Sequence, residues 1–226
     1  MNRFLGFALP VVAIGLLFSC TSDIESAEDV LKKAESSSSA TPAVPSSSSI
    51  GGGSSSSGAP LSGTSGTFAD SRAGQTQTYK WVKIGSQIWM AENLNYNASG
   101  SECYNNLDSN CEIYGRLYNW ETAKAACPSG WHLPSKAEWD VLGDDAKKLK
   151  ATSFGGTNDY GFSALPGGHG YSDGSFYGVG DSGYWWSANE DGSLHAYIRG
   201  MNYILDDASW SIHDKSYLRS VRCVQD

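Results

Sequence analysis

Trp185 and Trp186, closely followed by Asn189 and Asp191 and then by Tyr203 and Trp210, are the residues of this chain best suited to meeting a ligand. A flat aromatic ring offers an apolar face to sugar C–H groups, and an amide or carboxylate beside it offers partners for hydroxyls. These six residues form the candidate binding set. The segment 161–190 leads into them, and eight of its first 23 residues are Gly, so its backbone can take turns closed to other residues. On a strand, adjacent side chains point to opposite faces, so only one of Trp185 and Trp186 is expected in the core, which leaves the other free. The competing reading places all these aromatics in the core or in a closing lid.

Other chemistries find less support. Asn158-Asp159, Asp173, Asp181, Asn189-Glu190-Asp191 and Asp206-Asp207 lie in Gly-rich loops, and a calcium ion wants several oxygen ligands. The loop pattern D-x-[DN]-x-[DN]-G is missing, however, and polar turns account for the same residues. No metal ligand is assigned, and calcium stands as the alternative to a domain without cofactor. The histidines His132, His169, His195 and His213 are scattered, with no H-E-x-x-H; His132, inside GWHLP, is expected to be a packed structural residue. Nucleophile-elbow and phosphate-loop patterns are lacking. With 24 acidic residues, some pair of carboxylates always fits a glycosidase spacing, so that signal is empty. A non-enzymatic protein is expected.

The N-terminus indicates export. Arg3 precedes a run from 4 to 18 without charge, which is short for a membrane span and suits the core of a signal peptide. The run ends Leu17-Phe18-Ser19-Cys20, which resembles a bacterial lipobox. Residues 1–19 are therefore expected to be a signal peptide, and Cys20 a lipidated first residue that supplies the only membrane contact. Thr21 is not the Asp that retains some lipoproteins at the inner membrane, so outer-membrane, surface placement is expected. Residues 36–66 hold 14 Ser, 6 Gly and 3 Pro with no charge. Such a stretch reads as a disordered stalk with an r.m.s. span of roughly 30 Å. The stalk is taken as 20–67 and a single domain as 68–226, which contains all eight Trp and all twelve Tyr. Without Arg3 the chain has 15 Lys/Arg against 24 Asp/Glu, or −9. That acidity, with no basic cluster, argues against nucleic acid as a partner.

Cys103, Cys111, Cys127 and Cys223 remain, an even number in an exported chain. Of three possible pairings, Cys103–Cys111 and Cys127–Cys223 are favoured. The first clips a polar loop with little else to hold it. The second closes 97 residues, a constraint the chain-entropy account values at roughly 4–5 kcal/mol. Zinc is disfavoured because no C-x2-C pair occurs.

The elements that position these residues read as α+β. Strands over 79–84 and 87–94 flank Gly85-Ser86 as a hairpin. Asn119 caps a helix over 120–126 that stops at Pro128, and residues 130–133 are extended before Pro134. Ser135 and Glu138 form a capping box for a second helix, with Trp139, Leu142, Ala146 and Leu149 on one face. Short strands follow at 161–165, 184–188, 195–201, 209–212 and 218–224. This order is not a βαβ repeat.

WMAENLNY (89–96), CEIYGRLYNW (111–120), CPSGWHLPSKAEW (127–139), GFSALPGG (161–168), YWWSANE (184–190) and SVRCV (220–224) together resemble the Fibrobacter succinogenes major paralogous domain over nearly all of 79–226. The resemblance implies an exported, often lipidated surface domain, with a C-type-lectin-like fold related to the formylglycine-generating enzymes. It brings no catalytic residues. The reactive cysteines of those enzymes have no free counterpart here, and the EPN and WND strings of calcium-dependent lectins are absent. The expected function is surface-displayed, non-catalytic binding of polysaccharide, either plant cell-wall or envelope glycan. The alternatives are a protein–protein adhesion or envelope-assembly module, and a structural wall protein without a ligand.

Overall fold

The structure, a computed structural model, describes residues 63–226, so the signal segment, Cys20 and most of the stalk lie outside the described residues. The expected hairpin forms. Strands β2 (Gln75–Ile84) and β3 (Gln87–Met90) pair antiparallel across Gly85, which takes φ +60°. A strand the composition concealed, β1 (Ser65–Arg72), pairs with β2 along its whole length. It turns through Ala73 and Gly74, both at positive φ, the geometry tight hairpins require. Its anchor is Phe68, stacked on Trp131 at 4.5 Å.

The middle of the chain carries short elements: β4 (Ser101–Glu102), α1 (Asp108–Tyr114), β5 (Leu117–Tyr118), α2 (Trp120–Ala126) and β6 (Trp131–His132). Helix α1 occupies part of what reads as a polar loop. Asn119 caps α2 by accepting from Thr122 N at 2.9 Å. Ser135 and Glu138 form the expected capping box at the start of α3 (Lys136–Val141). The helix then breaks at Gly143, φ +73°, and Asp145 caps a separate α4 (Ala146–Leu149).

The strand-rich half comprises β7 (Gly167–Gly170), β8 (Phe176–Val179), β9 (Ser182–Asp191), β10 (His195–Asn202), β11 (Ser209–Asp214), β12 (Arg219–Ser220) and β13 (Val224–Gln225). The strand expected at 161–165 is reduced to a bridge between Ala164 and Lys150. That expected at 218–224 is split into β12 and β13, which serve different sheets. One sheet runs β1-β2-β3-β13-β6; the other runs β11-β10-β9-β12-β5-β4, with β7 pairing to β9 and β8 to β7. Pairing is antiparallel except where β12 and β7 meet β9. Both expected disulfides form, Cys103–Cys111 and Cys127–Cys223, and the second ties the end of α2 to the segment between β12 and β13.

Strand β9 is covered on both faces. Trp186 packs with Tyr118, Trp120 and Ile198 on one side, and Trp185 with Trp89, Trp139 and Phe162 on the other. Both indoles are fully buried, and both N–H groups are used, Trp185 donating to Asn93 Oδ1 at 2.8 Å and Trp186 to Tyr118 O at 2.7 Å. The expectation that one of the pair is free fails here because it presumed a sheet with one solvated face.

Arg222, fully buried, joins the two sheets. Its Nη2 and Nε donate to Asn93 Oδ1 at 2.7 and 3.1 Å, and Nη1 donates to the carbonyl of Phe162. Asn93 Nδ2 donates to Tyr114 O at 2.8 Å. Burial pushes the guanidinium down to about 9, with Glu92 acting upward, so it stays cationic at neutral pH. Asn93→Leu strips acceptors from a buried cation and from Trp185, and is expected to cost about 3–5 kcal/mol. Arg222→Met removes the charge with its need and should cost less, about 1–3 kcal/mol. Denaturant midpoints of oxidised protein decide the order, and the reverse order would refute this account.

His132 is not packed away but 41% exposed, bridging Asp226 at 2.6 Å and Glu138 at 2.7 Å. Burial works against its charged form, yet the hydrogen bonds and charges of Asp226 and Glu138 outweigh it and raise its pKa. A raised histidine contributes stability that is present below its unfolded value of about 6.5 and lost as pH climbs through the folded value. The melting temperature of the wild type should therefore exceed that of His132→Gln at about pH 5.5, and the gap should close by about pH 8.5. A gap that is constant across this range would remove the ion pair from the explanation.

Candidate functional site

The six residues singled out by the sequence separate into three places. Trp185 and Trp186 are core, so neither can stack on a ligand. Asn189, Asp191 and Trp210 meet around Lys136 and Tyr197. Asn189 Oδ1 accepts from Lys136 N at 2.7 Å, and Asp191 accepts from the Tyr197 hydroxyl at 3.4 Å. Trp210 donates to Asp140 at 3.1 Å, and its ring already has Lys136 at 4.8 Å and Arg199 at 5.1 Å. Those cations hold the indole that a sugar would need. Tyr203 lies at the far end of β10, in an exposed turn with Ile204 and Leu205. The acidic loops stay apart as well. Asp173 serves its own turn, and Asp206 faces Lys147 at 3.7 Å. Among the described residues no three His, Cys, Asp or Glu side chains are placed to hold a metal ion.

A different set of side chains does converge. His169 on β7, Tyr177 on β8, Tyr184 on β9 and His213 on β11 face one another, with Tyr171 just after β7 and Tyr217 just before β12. His169 lies 5.2 Å from both Tyr171 and Tyr184, Tyr171 lies 4.7 Å from Tyr217, and His213 lies 6.2 Å from Tyr184. Tyr177 is 56% exposed and the others are half-buried, so the cluster is an aromatic surface backed by the core.

The register explains the convergence. Tyr184 pairs with Gly200, and Gly200 with Ser209, while His213 pairs with Ala196, so Tyr184 and His213 share a face and each has a small partner on β10. A Cβ at Gly200 would lie 3.1 Å from Cδ1 of Tyr184. Gly168, at φ +67°, lets β7 approach β8, where a Cβ would stand 2.6 Å from Tyr177 O.

Beneath the surface lies Arg219, fully buried. Its Nη1 donates to Leu218 O at 2.8 Å and Gly170 O at 3.1 Å, and its Nη2 donates to His213 Nδ1. Among the described residues Nε has no hydrogen-bond partner, and neither has the buried Nδ1 of His169. Burial pushes Arg219 down to about 10, against the upward pull of Tyr171, Tyr184 and Tyr217, so it remains charged. Burial first, and then the Arg219 charge, push His169 and His213 down to about 4, so both are neutral at pH 7. Because a guanidinium only donates, His213 Nδ1 must accept, which leaves the proton on Nε2. The surface thus combines aromatic faces with fixed polar groups above a buried cation. Sequence reasoning passed over it because its members span 51 residues. The available signal was the two-residue spacing of His169 and Tyr171, which puts both on one face of a strand.

A disulfide-closed α+β domain with a half-exposed aromatic surface is the class these features define. The family model described as the Fibrobacter succinogenes major domain matches residues 82–225. The chain belongs to that family. No curated protein and no solved structure matches it.

The two kinds of aromatic are separable by stability. Trp185→Ala and Trp186→Ala should each cost about 3–5 kcal/mol, as large core truncations do. Tyr177→Ala should cost less than about 1 kcal/mol. Chemical denaturation measures both, and a tolerated Trp186→Ala would mean that β9 is not covered on that side.

Proposed function

We propose that this domain is a non-catalytic binding module for polysaccharide, with a C-type-lectin-like fold, held at the outer surface of a cell by a lipid on Cys20 and a Ser/Gly-rich stalk. The observation that carries the reading is the surface of Tyr171, Tyr177, Tyr184 and Tyr217 around His169 and His213. Sugar rings bind by laying C–H faces on aromatic rings while their hydroxyls meet polar groups, and this surface offers both. The lectin-like assignment is supported by the early hairpin, the helices before a strand-rich half, and the bridge from α2 to the C-terminal segment. The non-catalytic assignment is supported by the chemistry of the surface. Among the described residues its members are four tyrosines and two histidines, and all four domain cysteines are spent in disulfides. A single shallow site binds weakly, and many copies on one cell would multiply that strength.

A second reading, adhesion to a protein, is favoured by the exposed turn of Tyr203, Ile204 and Leu205, which are 56%, 70% and 55% accessible. Depletion of the full chain, oxidised and in mild detergent, onto insoluble cellulose, xylan and peptidoglycan distinguishes the two. Saturable retention that falls at least about fivefold in Tyr177→Ala and Tyr217→Ala, but not in Trp210→Ala, is expected (about 1 kcal/mol per lost stacking contact). Repeating it with calcium and with chelator tests for a metal. No retention on any glycan would turn attention to the Tyr203 turn and a protein partner.

A further inference from the structure

Arg219 narrows the ligand class, on the assumption that the surface above it binds glycan as proposed. We infer that the sugar unit it takes carries an anionic group, such as the carboxylate of a uronic acid. The cation has no acidic partner among the described residues. Its hydrogen bonds go to two carbonyls and one imidazole, its Nε is unused, and the aromatic rings nearest its charge are Tyr217 at 5.3 Å and Tyr184 at 5.7 Å. The carboxylates next in sequence to Tyr171 and His213 are turned to other work. Asp173 accepts from Ser175 Oγ at 2.6 Å and Ser175 N at 2.9 Å, and Asp214 accepts from Ser216 N at 2.8 Å. A buried charge without a counter-ion is costly, and an incoming anion lowers that cost.

Arg222, three residues on, is equally buried, but its Nε, Nη1 and Nη2 are all engaged and it lies between the sheets. It leaves nothing for a ligand. Arg219 differs in lying under an exposed surface with donor capacity to spare. His213 passes that polarity outward. With Nδ1 fixed as acceptor from Arg219, its Nε2–H is a neutral donor whose dipole is aligned by the charge behind it. The anion therefore meets His213 and the tyrosines directly, and meets Arg219 through them.

The test compares one polymer with and without its charge. The full chain, oxidised and in mild detergent, is titrated with polygalacturonate and with the same polymer fully methyl-esterified. Dextran sulfate and unsubstituted xylan serve as the sulfated and neutral arms. Retention on polygalacturonate at least about tenfold tighter than on the ester, and weakening with salt, is expected. Comparable binding to dextran sulfate would support the anion while showing that a sulfate serves as well as a carboxylate. Equal binding to acid and ester, or a preference for xylan, overturns the inference and leaves the binding module standing. No binding to any of the four overturns both. Arg219→Gln should erase the difference between acid and ester. His213→Phe, which keeps a ring in place without the Nε2 donor, gives the same reading should Arg219→Gln fail to fold.

Discussion

The guanidinium of Arg222, held by the amide oxygen of Asn93, is the contact on which the arrangement of the two sheets depends. Asn93 lies just beyond β3 in one sheet, and Arg222 lies between β12 of the second sheet and β13 of the first. The same amide oxygen accepts from Trp185, which brings β9 into the junction. One oxygen thus collects three donors from two remote parts of the chain. The flanking backbone closes the seam. Leu94 N donates to Val221 O at 2.9 Å and Met90 N to Cys223 O at 3.0 Å. A carboxylate at this position would make a stronger pair but would bury a second charge. A neutral amide satisfies the donors at lower desolvation cost.

This junction also explains why β9 is covered twice. Residues 218–225 pass from one sheet to the other, so the two hydrophobic clusters lie on opposite sides of the central strand rather than on one side of it. A Trp-Trp pair at that position places one indole in each. The disulfide from Cys127 to Cys223 sits one residue after Arg222 and ties α2 to the same crossing. Burial, hydrogen bonding and covalent constraint therefore act on the same few residues, and the segment Ser220, Val221, Arg222 and Cys223 is fully buried.

What was legible in the sequence follows from locality. The caps at Asn119 and Ser135 were readable because cap, donor and first turn are within four residues of one another. The disulfides were readable because four cysteines allow few pairings. Strands β9, β10 and β11 were readable from the Gly, Asn and Asp turns that separate them. The fate of Trp185 and Trp186 was not, because it depends on what covers each face of β9, and those residues come from remote parts of the chain. β1 was missed for a different reason: its Gly, Ser and Thr continue the composition of the stalk, and its partner strand decides its structure. The candidate surface was the least legible feature. His169 and Arg219 are brought to Tyr184 by two parallel pairings on β9, and His213 by the antiparallel path through β10, which no local pattern announces.

Arg219 and Arg222 show how one segment serves both the sheet junction and the aromatic surface. Both are delivered by the same buried stretch, one on each side of the junction. The first supports the aromatic surface from beneath, and the second locks the sheets. Because β12 pairs with both β5 and β9, the position of Arg219 is fixed by the sheet rather than by any ligand. Its hydrogen bond then fixes the ring and tautomer of His213. A surface whose polar groups are oriented in advance loses little conformational entropy when it is occupied, so even a small contact area can be selective. The constraint that makes the fold costly to disrupt is thus also what holds the polar groups of that surface in one arrangement.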